Sequence, residues 1–509
     1  MIKIHSKKKT KEKIKEEKIV IVDHLEYIKE TFSYPLNQDI KLREILLPFI
    51  DRHVYVIFLN GMIDGKNIEE SIITPLVTER HEWEEEHLET FLAKKVLRTK
   101  TVDVREKRED VVADIVDGRT VIIIEGSDLF LSINTTHYEY RSVDKPQSEN
   151  VIKGTNEAFT EGGQVNRSLI RKRIRDENLI TESLQMKQKK IKVSMLYLKN
   201  ITNDTLVEEV RKRVEEIEAP YIDEISILEQ HLEERPYSLV PTILYTERPD
   251  RAVSFLREGY VVLVMENSPG VLIAPVTFWS FFHTSEDYYL KWAYGNFIRM
   301  IRLFAVFVAL FTPSFYIAIV NFHSAMIPTD LLLAIAATRE TVPFPVFIEV
   351  LIMELAFELL REAGIRIPVP MGSTIGIVGA LILGQAAVDA NIISPILVII
   401  VALTGLSSFA IPNVSFNFMI RIARFGILLL AAFMGFYGVT IGMAVCVSYL
   451  ATVKSFGVPF LSPMTPYFAS SKDTLIRNVV WKEWVKPMFV KPKITEKNPK
   501  TKGKLGDAE

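Results

Sequence analysis

The distribution of charge along this chain constrains its fold more than any motif does. Between Phe297 and Val453 there are 7 Lys/Arg and 7 Asp/Glu, against 43 and 51 in residues 1–296 and 11 and 5 in residues 454–509. Leu303–Phe322, Ile367–Val388, Ala390–Ile420 and Phe425–Val453 contain no Asp, Glu, Lys or Arg at all. A helix crossing a bilayer core takes about 20 predominantly apolar residues, and only helices or closed barrels satisfy the backbone there. The runs lack the two-residue alternation of barrel strands. The sequence therefore predicts an all-α polytopic membrane domain over 297–453, with about four spans. Whole-chain composition, 48% hydrophobic and 24% charged with net charge −2, conceals this because the two halves average out.

The flanks predict orientation. Met1–Lys18 is Lys-rich with no apolar stretch behind it, which is not a signal-peptide pattern. Ten Lys/Arg lie between Lys472 and Lys504, close behind the last apolar run, and such flanks favour the cytoplasmic side. Both termini are expected inside, with an even number of crossings between them. The single cysteine, Cys446, has no partner for an intramolecular disulfide and reads as a packing residue.

The first half predicts α/β tandem soluble subdomains. Val54–Leu59 is a β-rich apolar run followed by the turn signals Asn60-Gly61 and Asp64-Gly65. Ile68, Ile72 and Leu76 then recur at helical spacing. Thr120–Ile124 runs towards Leu129–Ile133 through Gly126-Ser-Asp128. The pattern returns with Val193–Leu198, the turn Asn203-Asp204 and an amphipathic helix over Leu206–Ile217. Gly259-Tyr-Val-Val-Leu-Val-Met-Glu266 repeats Gly118-Arg-Thr-Val-Ile-Ile-Ile-Glu125, so offsets of 139 and 141 point to a tandem duplication. The expected organisation is a polar segment 1–40, subdomains 41–145 and 185–280 joined by a linker 146–184, the membrane domain, and a basic tail 454–509. Arg171-Lys-Arg-Ile-Arg175 in the linker suits a nucleic-acid patch or, more commonly, a solvated helix face or a partner for acidic surface; no nucleic acid is expected.

No enzyme signature is present: there is no G-x-x-x-x-G-K-[ST], G-x-S-x-G or H-E-x-x-H, and no cysteine cluster for zinc. The nine His are scattered, and His283 and His323 read as interfacial polar residues. No catalytic residue, metal or cofactor is expected.

In the membrane half, Arg299 and Arg302 are expected to snorkel to the interface. A short apolar segment after Met326-Ile-Pro-Thr-Asp330 ends at Arg339-Glu340, and Val342-Pro-Phe-Pro345 interrupts any helix. Pro343, Phe344 and Pro345 are thus candidates for a helix break or gate. The next helix, about Val346–Ala363, is apolar except for Glu349, Glu354, Glu358, Arg361 and Glu362. The last four fall within about 100° of one another on a helical wheel. Such a stripe can lie in the interface, pair internally, as Glu358 and Arg361 could, or face water in a pore, where rings of Glu build cation paths. On the pore reading Glu354, Glu358, Arg361 and Phe357 are the lining candidates. Gln385, Asp389 and Asn391, beside a helix break, form a secondary polar site of the kind a transporter would use. Gly372, Gly376 and Gly379 mark close helix packing.

Several blocks closely resemble the A subunit of the GerA family of spore germinant receptors. They are Asn60-Gly-Met-Ile-Asp64, Phe159-Thr-Glu161, Leu169-Ile-Arg-Lys-Arg-Ile174, Ser285-Glu-Asp-Tyr-Tyr289, Pro313-Ser-Phe-Tyr-Ile-Ala-Ile-Val320, Ile327-Pro-Thr329, Arg339-Glu-Thr-Val-Pro-Phe-Pro345, Gly376-Ile-Val-Gly-Ala380 and Ser455-Phe-Gly-Val-Pro459. The resemblance covers about Leu25 to Pro466. It implies a nutrient receptor of the spore inner membrane with a transporter-like, nutrient-binding B subunit and a lipoprotein C subunit. It also implies that the A subunit assembles as a pentamer into a gated channel for monovalent cations, in contact with membrane lipids, which favours the pore reading of Val346–Ala363. The alternatives are a transporter and a non-conducting scaffold of the same complex.

Overall fold

The computed structural model describes residues 23–497 apart from 79–86, 138–145, 147, 148, 150, 152, 188–191, 220, 367–383 and 469–472. Gly372, Gly376 and Gly379 therefore lie outside the described residues, as does most of the apolar run Ile367–Val388.

Two five-stranded antiparallel sheets make up the soluble half. The first contains β1 (Ile40–Leu47), β2 (Arg52–Leu59), β3 (Val102–Arg105), β4 (Thr120–Ile124) and β5 (Phe130–Ile133) in the order β1-β2-β4-β5-β3. The second contains β6 (Leu179–Gln185), β7 (Lys192–Leu198), β8 (Leu244–Thr246), β9 (Val261–Met265) and β10 (Val271–Ala274) in the order β6-β7-β9-β10-β8. The orders match position for position. The repeated glycines stand at equivalent turns, Gly118 with φ +84° before β4 and Gly259 with φ +93° before β9, a left-handed backbone that favours glycine.

All five residues of β4 and of β9 are buried, and all are apolar except Thr120, whose Oγ1 lies 2.7 Å from Thr135 Oγ1. Ile68, Ile72 and Leu76 pack beneath the first sheet. Asp64 caps the start of their helix by accepting from Lys66 N (3.0 Å) and Asn67 N (3.1 Å). The segment read as a linker contains structure. It forms α2 (Gly163–Arg173), which follows α1 (Arg108–Val116) of the first unit, and the start of β6. β6 escapes a hydrophobicity reading because it buries polar groups that distant partners satisfy: Glu182 Oε1 accepts from Arg211 Nε at 2.7 Å. Arg211 lies on α3 (Asp204–Glu215), capped by Asn203, whose side chain accepts from Thr205 N at 3.0 Å.

The basic run on α2 meets acid. Arg171 is buried, with Nε bonded to Asp39, and Nη2 donates to Leu179 O at 3.0 Å and Thr181 Oγ1 at 3.3 Å. Ser168 Oγ donates to Gly61 O. Helix α2 thus fastens the first unit to the second. α4 (Pro249–Arg257) covers the second sheet.

The remaining helices are α5 (Trp292–Phe322), α6 (Thr329–Arg339), α7 (Val346–Arg366), α8 (Pro395–Phe409), α9 (Val414–Met434) and α10 (Phe436–Thr452). α5 leaves from the soluble half. α9 starts there, with Phe416 stacked on Phe281 at 5.8 Å, and α10 ends there, with Tyr449 OH bonded to Ser238 Oγ at 2.8 Å. At the opposite end Phe322 of α5 lies against Gly435, whose φ of +58° turns α9 into α10.

The apolar runs and the helices do not coincide. Ala390–Ile420 is interrupted at Ala410-Ile-Pro-Asn413, where Asn413 caps α9 by accepting from Phe416 N at 2.9 Å. Phe425–Val453 is divided at Gly435. Among the described residues two helices, α5 with 31 residues and α9 with 21, are long and apolar enough to cross a membrane. α8 and α10 are apolar but shorter, about 22 and 26 Å at ~1.5 Å per residue.

Arg299 and Arg302 do not snorkel. Both are buried at the root of α5, where Arg299 Nε (3.1 Å) and Arg302 Nη1 (2.8 Å) donate to the fully buried Asp287. Arg299 also bonds Asp473 of the C-terminal segment. Burial pushes the Asp473 carboxyl upward, but the neighbouring His283 and Arg299 charges outweigh it and hold it down at about 2. His283 is likewise inside, its Nε2 2.7 Å from Thr474 O. His323 sits with Nδ1 3.2 Å from Ala318 O. The described part of the basic tail is therefore not a free extension: Phe489 and Val490 are buried in the core of the second unit.

Candidate functional site: a buried arginine–glutamate cluster

α7 carries the acidic stripe, and its partners come from helices that the sequence does not place beside it. Glu354 is 1% exposed, with Oε2 2.9 Å from Arg424 Nη2 of α9. The same nitrogen lies 2.8 Å from Glu358 Oε1. Arg421 grips Glu358 with both Nε (3.0 Å to Oε1) and Nη2, a fork that fits a carboxylate. Arg361 is only 3.9 Å from Glu358. It donates instead to Ser408 Oγ of α8 at 2.5 Å and lies between the rings of Phe357 (5.1 Å) and Phe409 (4.9 Å).

Two carboxylates therefore face three guanidiniums, leaving one positive charge in excess. Of the three readings open to the stripe, this arrangement is the one with paired charges, through partners on another helix. In the chain as it stands Glu354 is paired with Arg424, and Glu358 with Arg421 and Arg424. Glu362, the fourth member of the stripe, is exposed. The signal for the missed partners was available: Arg421 and Arg424 are the only charges between Asp389 and Lys454, and charge in so apolar a stretch demands a partner.

Phe357 does not stand free either. Its ring fills the hollow above Gly405 of α8, where an added Cβ would overlap it. Glu349, off the stripe, is 1% exposed and ties the break to the bundle, with Oε1 3.1 Å from Arg339 Nη2 and Oε2 accepting from Ser394 N at 3.2 Å. Pro343, Phe344 and Pro345 are exposed on the connection between α6 and α7. Gln385, Asp389 and Asn391 are exposed as well. Asn391 Oδ1 accepts from Thr341 Oγ1 at 2.9 Å, which fastens the Pro-Phe-Pro block to the helix break. Among the described residues no group of His, Cys, Asp or Glu is arranged to hold a metal.

Chemically the cluster is a clasp. It locks α7 to α9 by ion pairs whose desolvation makes their loss on one side expensive, and it exposes its carboxylates only if the arginines withdraw.

The fold and site define a class of protein in which an α/β head of two like sheets stands on an apolar helical bundle that buries an arginine–glutamate cluster. The profile of the Bacillus/Clostridium GerA spore germination protein matches residues 26–489, and the chain belongs to that family. It is 38% identical over 459 residues to "Spore germination protein KA" of Bacillus subtilis (strain 168), covering 89% of this chain and 84% of that protein. It is 33% identical to "Spore germination protein B1" of the same organism over 94% of this chain and 97% of that one. Against "Spore germination protein GerLA" of Bacillus cereus the identity is 35%, over 86% and 89% respectively. The crystal structure of the N-terminal domain of the A subunit of the Bacillus megaterium spore germinant receptor GerK3 matches 50% of this chain and 94% of that one, at 23% identity and a TM-score of 0.39. The family gives the chain a role in spore germination.

Proposed function

We propose that this chain is the A subunit of a nutrient germinant receptor in the spore inner membrane, and that it oligomerises into a gated path for monovalent cations. On this reading the bundle is multi-pass with both termini on the core side. A nutrient-binding B subunit and a lipoprotein C subunit complete the receptor, and the pentameric state follows the family resemblance. The observation that carries the reading is the clasp on α7. Acidic side chains suited to a cation path are present but are held by Arg421 and Arg424, which is what a closed state requires. Nutrient binding opens the path only if the open state binds nutrient more tightly than the closed one. Opening then separates the arginines from Glu354 and Glu358, and Pro343 and Pro345 let α7 re-aim against α6.

Potassium flux from liposomes containing the assembled receptor tests this. Arg421→Gln should raise flux without nutrient, and Glu358→Gln should lower flux or cation selectivity with nutrient. Normal accumulation of both proteins with wild-type flux would return α7 to a structural role. Absence of flux from the wild type would leave the scaffold reading standing.

A further inference from the structure

The three guanidiniums of the clasp are not equally served. Arg421 and Arg424 share Glu358, and Arg424 also meets Glu354. Arg361 is the one without a carboxylate in hydrogen-bonding reach among the described residues. Its one hydrogen bond runs from Nη2 to Ser408 Oγ, and Glu358, the acid it stands nearest, is 3.9 Å from Nη1. Ser408 relieves one donor and none of the charge, since its oxygen is neutral.

The Arg361 side chain is only 8% exposed, and its Nε and Nη1 are buried without an acceptor. Those two nitrogens carry three of the five N–H bonds of an arginine. A buried donor left unmade is costly, and more so when it is charged. The rings of Phe357 and Phe409 lie 5.1 and 4.9 Å from the guanidinium carbon. Such rings ease the positive charge from the faces of the group, but they offer nothing to N–H bonds that lie in its plane.

We propose that Arg361 holds a small monovalent inorganic anion of chloride size within the α7–α8–α9 cluster. Monovalence follows from the charge count, two carboxylates against three guanidiniums. Small size follows from the setting, because Phe357 and Phe409 cover the faces of the guanidinium and a ligand can meet only its in-plane edges. Phe357 itself is held in place over Gly405. With the anion on Arg361 the cluster is electrically neutral, so the ligand belongs to the closed clasp and stabilises it. The inference rests on the geometry of the cluster and is independent of conduction.

The test melts the full-length, detergent-solubilised chain while sodium gluconate is replaced by sodium chloride at constant total salt. A ligand of the folded state should raise the melting temperature by about 3 °C or more for each tenfold rise in chloride above half-saturation, and bromide should act as chloride does. Arg361→Gln should remove this dependence. Equal melting of the wild type in chloride and gluconate overturns the proposal, and so does a chloride dependence that persists undiminished in Arg361→Gln. Where Arg361→Gln does not accumulate, wild-type crystals soaked in bromide decide. An anomalous peak beside the Arg361 guanidinium bears the site out, and bromide elsewhere or nowhere overturns it. A chloride-dependent melt in a receptor that passes no potassium would leave the anion site standing and remove the cation path.

Discussion

Replacing Arg424 isolates the clasp from the rest of the bundle. Arg424 is 1% exposed and lies 2.9 Å from Glu354 and 2.8 Å from Glu358. Glu358 keeps Arg421 when Arg424 is lost, whereas Glu354 has no other ion pair among the described residues. At an effective dielectric of about 20, one charge pair at this distance is worth about 6 kcal/mol before desolvation. Removing one partner of a buried pair typically costs about 3–5 kcal/mol. Arg424→Gln should therefore destabilise the helical half by about 3–5 kcal/mol, a large share of the ~5–15 kcal/mol that holds a typical protein folded. Arg421→Gln should cost far less, because Arg421 is half-buried and Glu358 retains Arg424. Removing the stranded charge as well, in Arg424→Gln/Glu354→Gln, should recover most of the loss, and Arg424→Met/Glu354→Leu should come within about 1 kcal/mol of wild type. Thermal melting of the detergent-solubilised chain, followed by fluorescence-detected size exclusion, ranks the four variants. Equal melting of Arg424→Gln and wild type, or a double variant no better than the single, would refute the assignment of a buried, mutually dependent pair.

Two further outcomes follow from the geometry. Gly405→Ala would drive a methyl into the Phe357 ring and should cost about 1–3 kcal/mol as overpacking; Phe357→Leu on that background should restore part of it, read by the same melting assay. A cysteine at the exposed Ile494, in a Cys446→Ser background, should react with an impermeant maleimide only after the membrane is opened; labelling of intact cells would reverse the orientation proposed for the tail.

Central strands were legible because they are buried on both faces. Val54–Leu59, Thr120–Ile124 and Val193–Leu198 read as β-type runs almost free of polar residues, and the two halves could be aligned through them. Edge strands were not. β1 alternates buried Ile40, Ile45 and Leu47 with exposed charge, and β6 buries Glu182 against an arginine 29 residues away. The acidic stripe on α7 was visible from spacing alone. Its meaning was not, because helical periodicity reports which residues share a face and nothing about what that face meets. Arg421 and Arg424 reach it only through the turn at Ala410–Asn413, and that turn also shows why the apolar run Ala390–Ile420 is divided between two helices. At the root of α5, two arginines beside an apolar run suggested water as their partner; Asp287 and Asp473 are separated from them by too much chain, or too irregular a turn, for a wheel to reveal.

That root has a mechanical consequence. Asp287 belongs to the soluble half, Arg299 to the helix and Asp473 to the returning tail, and the three are bonded into one joint. Such a joint behaves as a fixed bearing, so a rotation of the head cannot be absorbed there and must become a tilt of the rod. α5 is about 46 Å long at ~1.5 Å per residue. A tilt of about 5° at its base carries Phe322 sideways by about 4 Å over that length. Phe322 is seated on the Gly435 turn, so the displacement is delivered to the hairpin whose near arm holds Arg421 and Arg424. The head and the Gly435 turn are thus the two ends of one rod.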